Sequence, residues 1–298
     1  MTVFTRRRFL SISAAMTAMP ALAAPAPVAT WRGRAMGSFV SMKLAGFGDA
    51  DAAPVFSAVE QELSRLENIF SLYRTESQIS RLNRDGVLEA PAPELLQVLA
   101  LSDRLHDASD GLFDPTIQTL WMALAQGQTG VELEQARALV GWQGVRYDTG
   151  SVLLGTPGQA LTLNGIAQGF ITDRISDLLK SQGLQDVLLD MGEIAAKGKP
   201  DAGRAWKVGV AMPDGTVVKR LKMQDRALAT SAPMGTPLGE AGHILNPQGA
   251  RARNQLASVS APQAVIADGV STTLCLMTGE AGERLIKQFP GTKIEVLA

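Results

Sequence analysis

The chain has 298 residues, of which 46% are hydrophobic and 19% are charged; this composition supports a globular core and excludes a disordered tail, a coiled coil or a collagen-like rod. The 28 basic and 29 acidic residues give a formal net charge of −1, so no excess positive field favours nucleic acid as a partner. One cysteine, Cys275, and two histidines, His106 and His243, are too few soft ligands for a zinc or copper site. Any metal is therefore expected to be a hard cation bound by oxygen.

The N-terminus has the pattern of an export signal. Three arginines, Arg6 to Arg8, precede a moderately apolar stretch from Ser11 to Pro20 and the small-residue site Ala21-Leu22-Ala23, which is the order of a cleavable signal. The paired arginines and the weak hydrophobicity favour the twin-arginine route over an ordinary secretory signal. We predict a twin-arginine signal peptide over residues 1–23 and a mature chain over residues 24–298, located in a bacterial periplasm and not inserted in the membrane.

Along the mature chain, the patterns predict helices first and then strands mixed with helices. The predicted helices are Val55–Phe70, Pro93–His106, Glu132–Val140, Ala167–Ser181 and Ala264–Met277. The predicted strands are Val152–Leu154, Leu161–Leu163, Val187–Leu189, Trp206–Val210, Arg226–Ala229 and Ser258–Ala261. This order predicts an α+β fold in a single domain. Glycine and proline cluster at residues 198–203 and 232–250, which we interpret as loops around a site.

The late helix carries the strongest chemical pattern. Asp268 and Thr272 are four residues apart and Ser271 is three from Asp268, so the three side chains share one helix face. One carboxylate and two hydroxyls can bind Mg²⁺ or another hard cation. Alternatively, Asp268 simply stabilises the first turn of the helix through the helix dipole.

A second pattern is the run from Leu161 to Phe170, in which small residues lead into a helix. Such a turn lets a phosphate approach backbone N–H groups at a helix start, but its glycines can equally serve close packing. His243 lies in a loop rich in proline and glycine. It is either a surface residue or, in a cleft, the natural proton acceptor for a hydroxyl group.

Three further segments are specific in sequence but open in purpose: Ala35-Met36-Gly37-Ser38, Phe70-Ser71-Leu72-Tyr73 and Gly111-Leu112-Phe113-Asp114-Pro115-Thr116. Tyr73 can stack on a flat ring and Asp114 can accept a hydrogen bond from a base or ribose, although each residue also suits a core or turn position. His106, between acidic neighbours at the end of a helix, is interpreted as structural.

Taken together and in this order, these segments resemble the ApbE family of FAD:protein FMN transferases. The resemblance runs from Trp31 to Lys293 and includes Leu163–Phe170, Leu189–Glu193, Ala229–Ser231, His243–Pro247 and Ala267–Thr272. It implies a two-lobed α+β domain with mixed β-sheets flanked by helices and a central cleft for FAD and Mg²⁺. Four positions depart from the common family pattern: Asn164, Gln168, Asn246 and Ala232-Pro233.

The resemblance also implies roles for individual residues. The metal ligands would be Asp268, Ser271, Thr272 and the backbone oxygen of Ala167, and His243 would be the catalytic base that deprotonates the acceptor hydroxyl. The residues that would line the FAD site are Met36, Tyr73, Leu112, Phe113, Asp114, Asn164, Phe170 and His243.

The implied reaction moves FMN from FAD through a phosphoester bond onto a threonine or serine of a partner flavoprotein and releases AMP. The partner is expected to be membrane-associated, and a twin-arginine signal favours an acceptor of the kind used in nitrous-oxide respiration. Two alternatives remain at this point, a non-catalytic periplasmic FAD carrier and a pyrophosphatase that splits FAD into FMN and AMP.

Overall fold

The computed structural model describes residues 27–200, 204–238 and 242–298. The predicted signal peptide, residues 1–23, lies outside the described residues. The strands are β1 (Val28–Ala35), β2 (Ser38–Ala45), β3 (Val87–Glu89), β4 (Arg146–Tyr147), β5 (Ser151–Leu153), β6 (Val187–Asp190), β7 (Ile194–Lys197), β8 (Trp206–Ala211), β9 (Val217–Met223), β10 (Arg226–Ser231), β11 (Ala257–Ala261) and β12 (Lys293–Leu297). The helices are α1 (Asp49–Phe70), α2 (Gln78–Asp85), α3 (Pro93–Ala108), α4 (Gln118–Ala125), α5 (Gly130–Ala138), α6 (Ala167–Ser181), α7 (Ala264–Leu274) and α8 (Gly279–Lys287).

Seven strands form the main sheet in the order β1-β2-β6-β7-β10-β11-β12, and every neighbouring pair is antiparallel. Helices α6 and α7 pack on one face of this sheet, where they share the larger hydrophobic core with α1 and α3. Two smaller sheets, β3-β5-β4 and β8-β9, complete the fold. Antiparallel strands and helices on one face are the architecture of an α+β domain, as the sequence predicted.

The β8-β9 hairpin packs on the opposite face of the main sheet through a second, smaller core. Trp206, Val208 and Val210 point inward at alternate positions of β8 and pack against sheet residues that include Leu228 and Ala196. The second core centres on β7 and β10. The β8-β9 hairpin therefore does not cover the β1-β2 end of this sheet face, where Phe39 of β2 is 79% exposed.

All five predicted helices are present; α6 has the predicted bounds and α7 ends at Leu274 rather than Met277, while α2, α4 and α8 were not predicted. The predicted strand at Leu161–Leu163 is wrong, because its backbone groups bond elsewhere. The side chain of Asn83 accepts from the Leu161 N–H and donates to the Leu161 carbonyl, and the Thr162 N–H donates to the Pro115 carbonyl. The predicted order of helices first is also wrong, since the β1-β2 hairpin precedes α1.

None of the described helices combines the length and hydrophobicity needed to cross a lipid bilayer. Cys275 is fully buried, and burial raises the pKa of its thiol to about 12. His106 is also buried: its Nδ1 lies 2.9 Å from the Phe113 carbonyl oxygen and its Nε2 lies 2.9 Å from Nε2 of Gln143. Both contacts are internal, so the structural interpretation of His106 is confirmed.

Candidate functional site

The strand register brings three separate chain segments to one end of the main sheet. Ala35 pairs with Ser38 across the β1-β2 turn, and Asp190 pairs with Ile194 across the β6-β7 turn. Ile194, the first residue of β7, pairs with Leu228 of β10. Because β10 continues to Ser231, its last residues extend past β7 and end at the same edge of the sheet. Turns and strand ends at one edge are the usual place for a site, because loops carry function on a rigid sheet.

The first turn of α6 enters this edge between two of these segments. Nε2 of Gln168 donates to Oγ of Ser38 at 3.2 Å. A Cβ atom on Gly192 would lie 2.6 Å from Nε2 of Gln168, so the β6-β7 turn contacts the same side chain. Gln168 therefore joins the β1-β2 and β6-β7 turns through a neutral amide.

Helices α6 and α7 cross at unusually close range beside Gly169. A Cβ atom on Gly169 would lie 2.4 Å from the Ala264 carbonyl oxygen and 2.7 Å from Cβ of Asp268. The Asp173 carboxylate accepts from the N–H groups of Ala264 and Val265 at 2.8 and 2.9 Å, which caps the start of α7. The position of α7 relative to α6 is thus fixed by close packing and by side-chain hydrogen bonds.

This crossing buries Asp268 almost completely, at 2% exposure. Its Oδ2 accepts from the Gly169 N–H at 2.9 Å. Burial raises the pKa of Asp268 to about 7, although the hydrogen bond from Gly169 opposes the change. A carboxylate that is this costly to ionise, with no basic side chain among the causes of its shift, is a suitable ligand for a cation.

A second buried carboxyl group, that of Glu193, lies close enough to Asp268 for the two charges to repel each other. Burial raises the pKa of Glu193 well above its ordinary value, and the negative charge of Asp268 raises it further. The Thr230 N–H donates a hydrogen bond to Glu193 and opposes this change. The site therefore concentrates negative charge that a bound cation would stabilise.

Three hydroxyl groups cluster on the α7 side of the site. Oγ of Ser231, at the end of β10, lies 2.7 Å from Oγ of Ser271 and 3.3 Å from Oγ1 of Thr272. Thr272 also contacts the turn before α6, because a Cβ atom on Gly165 would lie 2.9 Å from its Cγ2. Ala167 is buried at the first position of α6, two residues before the N–H group that bonds Asp268.

The residues present fit a magnesium ion by their chemistry. Carboxylate, hydroxyl and carbonyl oxygens are the ligands that hard cations prefer, and the structure brings Ala167, Asp268, Ser271 and Thr272 together. Within residues 27–200, 204–238 and 242–298, no group of three or more histidine, cysteine and acidic side chains forms a metal cluster.

His243 is held beside the same edge by the turn that follows β10. Its Nδ1 and its backbone N–H each lie 2.9 Å from the Pro233 carbonyl oxygen. A carbonyl only accepts, so Nδ1 carries the proton and donates, while the 3.3 Å approach of the Thr236 N–H to Nδ1 is secondary. The lone pair of Nε2 is then available to accept a proton.

Pro233, whose carbonyl orients His243, follows Ser231 by two residues. The Cα atoms of Ser231 and Pro233 are therefore at most about 7 Å apart. His243 is thus held by the segment that directly follows the hydroxyl cluster. A second contact, from Nε2 of Gln248 to the Asp110 carbonyl at 3.3 Å, connects the histidine loop to the segment before Leu112.

Two of the predicted flavin contacts meet at the β1-β2 turn. Met36 and Gly37 both have positive φ, at 51° and 79°, as a two-residue type I′ hairpin turn requires. The Met36 N–H donates to Oε1 of Glu67 at 2.8 Å. A Cβ atom on Gly37 would lie 2.9 Å from the ring of Tyr73, whose side chain is 72% exposed. Tyr73 therefore offers an open ring face beside the turn.

The other predicted flavin contacts differ in their surroundings. Oδ1 of Asp114 accepts from the Thr116 N–H at 2.8 Å and Oδ2 accepts from the Trp142 N–H at 3.2 Å, so both oxygens of this carboxylate have backbone partners, one in its own turn and one in the segment after α5. Phe113 is buried, as is Phe170, which packs edge-on against Phe70 at 5.5 Å. Leu112 is partly exposed and Asn164 is exposed in the turn before α6. Their roles toward FAD stay predictions.

Ser231 and Glu193 are site residues that the sequence reasoning did not single out. Both lie in segments that carried the family resemblance, but neither has a spacing that points to chemistry. Ser231 contacts Ser271, which is 40 residues later in the chain, and Glu193 interacts electrostatically with Asp268, which is 75 residues later. A polar residue within a few positions after an apolar strand run is the local signal that could have found them.

Known proteins match most of this chain in sequence. The sequence model of the ApbE family matches residues 36–297. The chain is 26% identical to an FAD:protein FMN transferase of Vibrio cholerae, over 93% of this chain and 89% of the relative, and 28% identical to one of Klebsiella pneumoniae, over 85% and 84%.

Solved structures show the same fold. The flavin transferase ApbE from Vibrio cholerae superposes with a TM-score of 0.80 at 25% identity, over 91% of this chain and 94% of that structure. The apo form of the Pseudomonas stutzeri flavinyl transferase ApbE superposes with a TM-score of 0.77 at 25% identity over the same shares. With a family match over nearly the whole described chain and the shared fold, the chain belongs to the ApbE family.

Proposed function

We propose that this protein is a Mg²⁺-dependent FAD:protein FMN transferase. One observation supports the proposal most directly: a histidine with a free Nε2 lies at the same sheet edge as a buried carboxylate and three hydroxyl groups. A base next to a site for a hard cation suits the attack of a hydroxyl group on a pyrophosphate. The names of the relatives, FAD:protein FMN transferase, agree with this chemistry.

In the proposed reaction, each side chain has a separate task. Nε2 of His243 accepts the proton of a threonine or serine hydroxyl on the acceptor protein, and the Pro233 carbonyl keeps Nδ1 protonated. The hydroxyl oxygen bonds to the FMN phosphorus while the bond from that phosphorus to the oxygen of AMP breaks, so AMP leaves. Asp268, Ser271, Thr272 and the Ala167 carbonyl would hold Mg²⁺, which neutralises charge on the two phosphates when bound.

We also propose that the mature protein works in a periplasm after twin-arginine export. The support is the arginine pair and the small-residue cleavage site in residues 1–23. The acceptor in that compartment would be a membrane-associated flavoprotein that carries the threonine or serine.

The direct test mixes the purified mature chain, residues 24–298, with FAD, Mg²⁺ and a candidate acceptor domain. We expect flavin fluorescence on the acceptor in a denaturing gel and a mass gain of one FMN. EDTA should abolish the transfer and excess Mg²⁺ should restore it.

Two results would contradict the transferase. Free FMN and AMP without acceptor labelling would identify a pyrophosphatase. FAD that binds but stays intact with every acceptor tried would identify a carrier.

A further inference from the structure

The β1-β2 hairpin exposes a cationic face on the side of the main sheet that carries no helix. Side chains alternate along the two strands, so Ala35, Val40 and Met42 face the larger core while the intervening residues face outward. The outward set includes Arg32, Arg34, Phe39 and Lys43, all of which are exposed. We call these four residues the hairpin face.

The hairpin face carries three positive charges. Among the described residues, no carboxylate forms an ion pair with Arg32, Arg34 or Lys43. The neighbouring acid, Asp190, is bonded to the Gly192 N–H in its own turn. The whole chain has a formal charge of −1, so three cations on one open sheet face are a local excess that folding does not require.

Phe39 adds an apolar anchor to this charge. At 79% it is the most exposed large hydrophobic side chain of the described residues. The guanidinium of its cross-strand partner Arg34 lies 4.5 Å from the ring centroid. This cation–π contact holds the ring in place but leaves most of it in water. Aromatic and arginine side chains are enriched at protein–protein interfaces relative to the rest of the surface.

The hairpin face adjoins the candidate site. Phe39 is two residues from Gly37, whose turn contacts Tyr73 and ends at the site edge of the sheet. Three strand spacings separate β2 from β10, which is about 14 Å. A protein that rests on the hairpin face can therefore extend a segment to the His243 edge.

We propose that the hairpin face is the surface on which an acidic acceptor protein docks before it receives FMN. This inference rests on the proposed function, which requires a protein partner at this edge. Three cations favour an acidic partner surface and a faster encounter. An anionic lipid surface is the less suitable occupant. In the β1-β2 hairpin, Phe39 and the smaller Val28 are the exposed large apolar side chains on this face, and two such side chains insert weakly.

The test uses steady-state flavinylation by the mature chain, with an acceptor domain that the wild-type chain labels in the assay above. The variants are Arg34→Glu, the double variant Arg32→Glu/Arg34→Glu, and Phe39→Ser. Lys287→Glu, at the exposed end of α8, is the matched control, because it changes the net charge by the same amount as Arg34→Glu.

We expect the KM for the acceptor to rise at least fivefold for Arg34→Glu and further for the double variant, while kcat and FAD affinity stay within twofold. Lys287→Glu should leave all three constants unchanged. The wild-type KM should also rise with NaCl more steeply than that of the double variant, because salt screens the attraction.

An unchanged acceptor KM in the double variant would overturn the docking proposal while leaving the transferase intact. Loss of binding to phosphatidylglycerol vesicles with an unchanged acceptor KM would assign the face to a membrane instead. If the wild-type chain labels no acceptor at all, the proposed function itself fails, which is a different result from a variant that fails alone.

Discussion

The buried carboxyl of Asp268 makes the stability of the metal-free protein depend on pH. Its pKa rises from an ordinary value of 3.8 to about 7, so between these values the folded state holds a proton that the unfolded state has released. Stability therefore falls as the pH rises through this window and levels off above it. A difference of about three pH units at ~1.4 kcal/mol each corresponds to about 4 kcal/mol.

The assay is thermal unfolding of the EDTA-treated mature chain at pH 5 and pH 8. About two of these three units fall between pH 5 and pH 7, so the expected loss in this comparison is ~2.7 kcal/mol. For a chain of this size, that loss lowers Tm by about 5 °C at the higher pH. Mg²⁺ should recover most of this loss at pH 8 and much less at pH 5, because the cation needs the ionised carboxylate. The Asp268→Asn variant keeps an acceptor for the Gly169 N–H but should show a smaller pH dependence and no stabilisation by Mg²⁺.

Asp49→Asn is the control, since this carboxylate is exposed in the first turn of α1, away from the site. It should preserve both the pH dependence and the response to Mg²⁺. The reasoning is refuted if metal-free wild type is equally stable at pH 5 and pH 8, or if Asp268→Asn retains the full magnesium effect.

Three further predictions concern single side chains. His243→Gln should lower the rate of FMN transfer about 10²- to 10⁴-fold, as loss of a general base does, with an unchanged Kd for FAD in a fluorescence titration; equal loss of FAD binding would instead make His243 a cofactor ligand. Gly169→Ala should lower the free energy of unfolding by about 1–3 kcal/mol, because its Cβ would overlap the Ala264 carbonyl. Gly279→Ala, where a Cβ meets no atom within 4 Å, should leave denaturant unfolding nearly unchanged. The Cys275 thiol should react with a disulfide reagent only on unfolding, because it is buried with a pKa of about 12; rapid labelling of the native protein would show that α7 opens.

Local sequence patterns predicted the helices well, because a helix is encoded by neighbours three and four residues apart. Helix α6 has the predicted bounds, and Gly183 follows its end in the left-handed region. The strand predicted at Leu161–Leu163 failed, because the side chain of Asn83, 78 residues away, takes both backbone groups of Leu161. The local sequence around Leu161 does not show that a distant side chain will bond these backbone groups in place of a neighbouring strand.

In the candidate site, too, local spacing predicted some residues and long-range pairing determined the others. The face shared by Asp268, Ser271 and Thr272 follows from helical spacing alone, and the structure confirms that these residues lie together. The contribution of Ser231 depends on where β10 ends relative to α7, and that of Glu193 depends on the β6-β7 turn. Both positions are set by strand pairing between distant segments, which residue spacing does not encode.

The contacts that build the site have a consequence for the order of events in folding. Gln168 bonds Ser38 across 130 residues, and the Gly169 N–H bonds Asp268 across 99. Contacts of such separation form only after long loops have closed, so they come late and depend on the rest of the chain. The site therefore does not exist in a nascent chain that lacks α7, and flavin captured by this protein would report that synthesis and folding are complete.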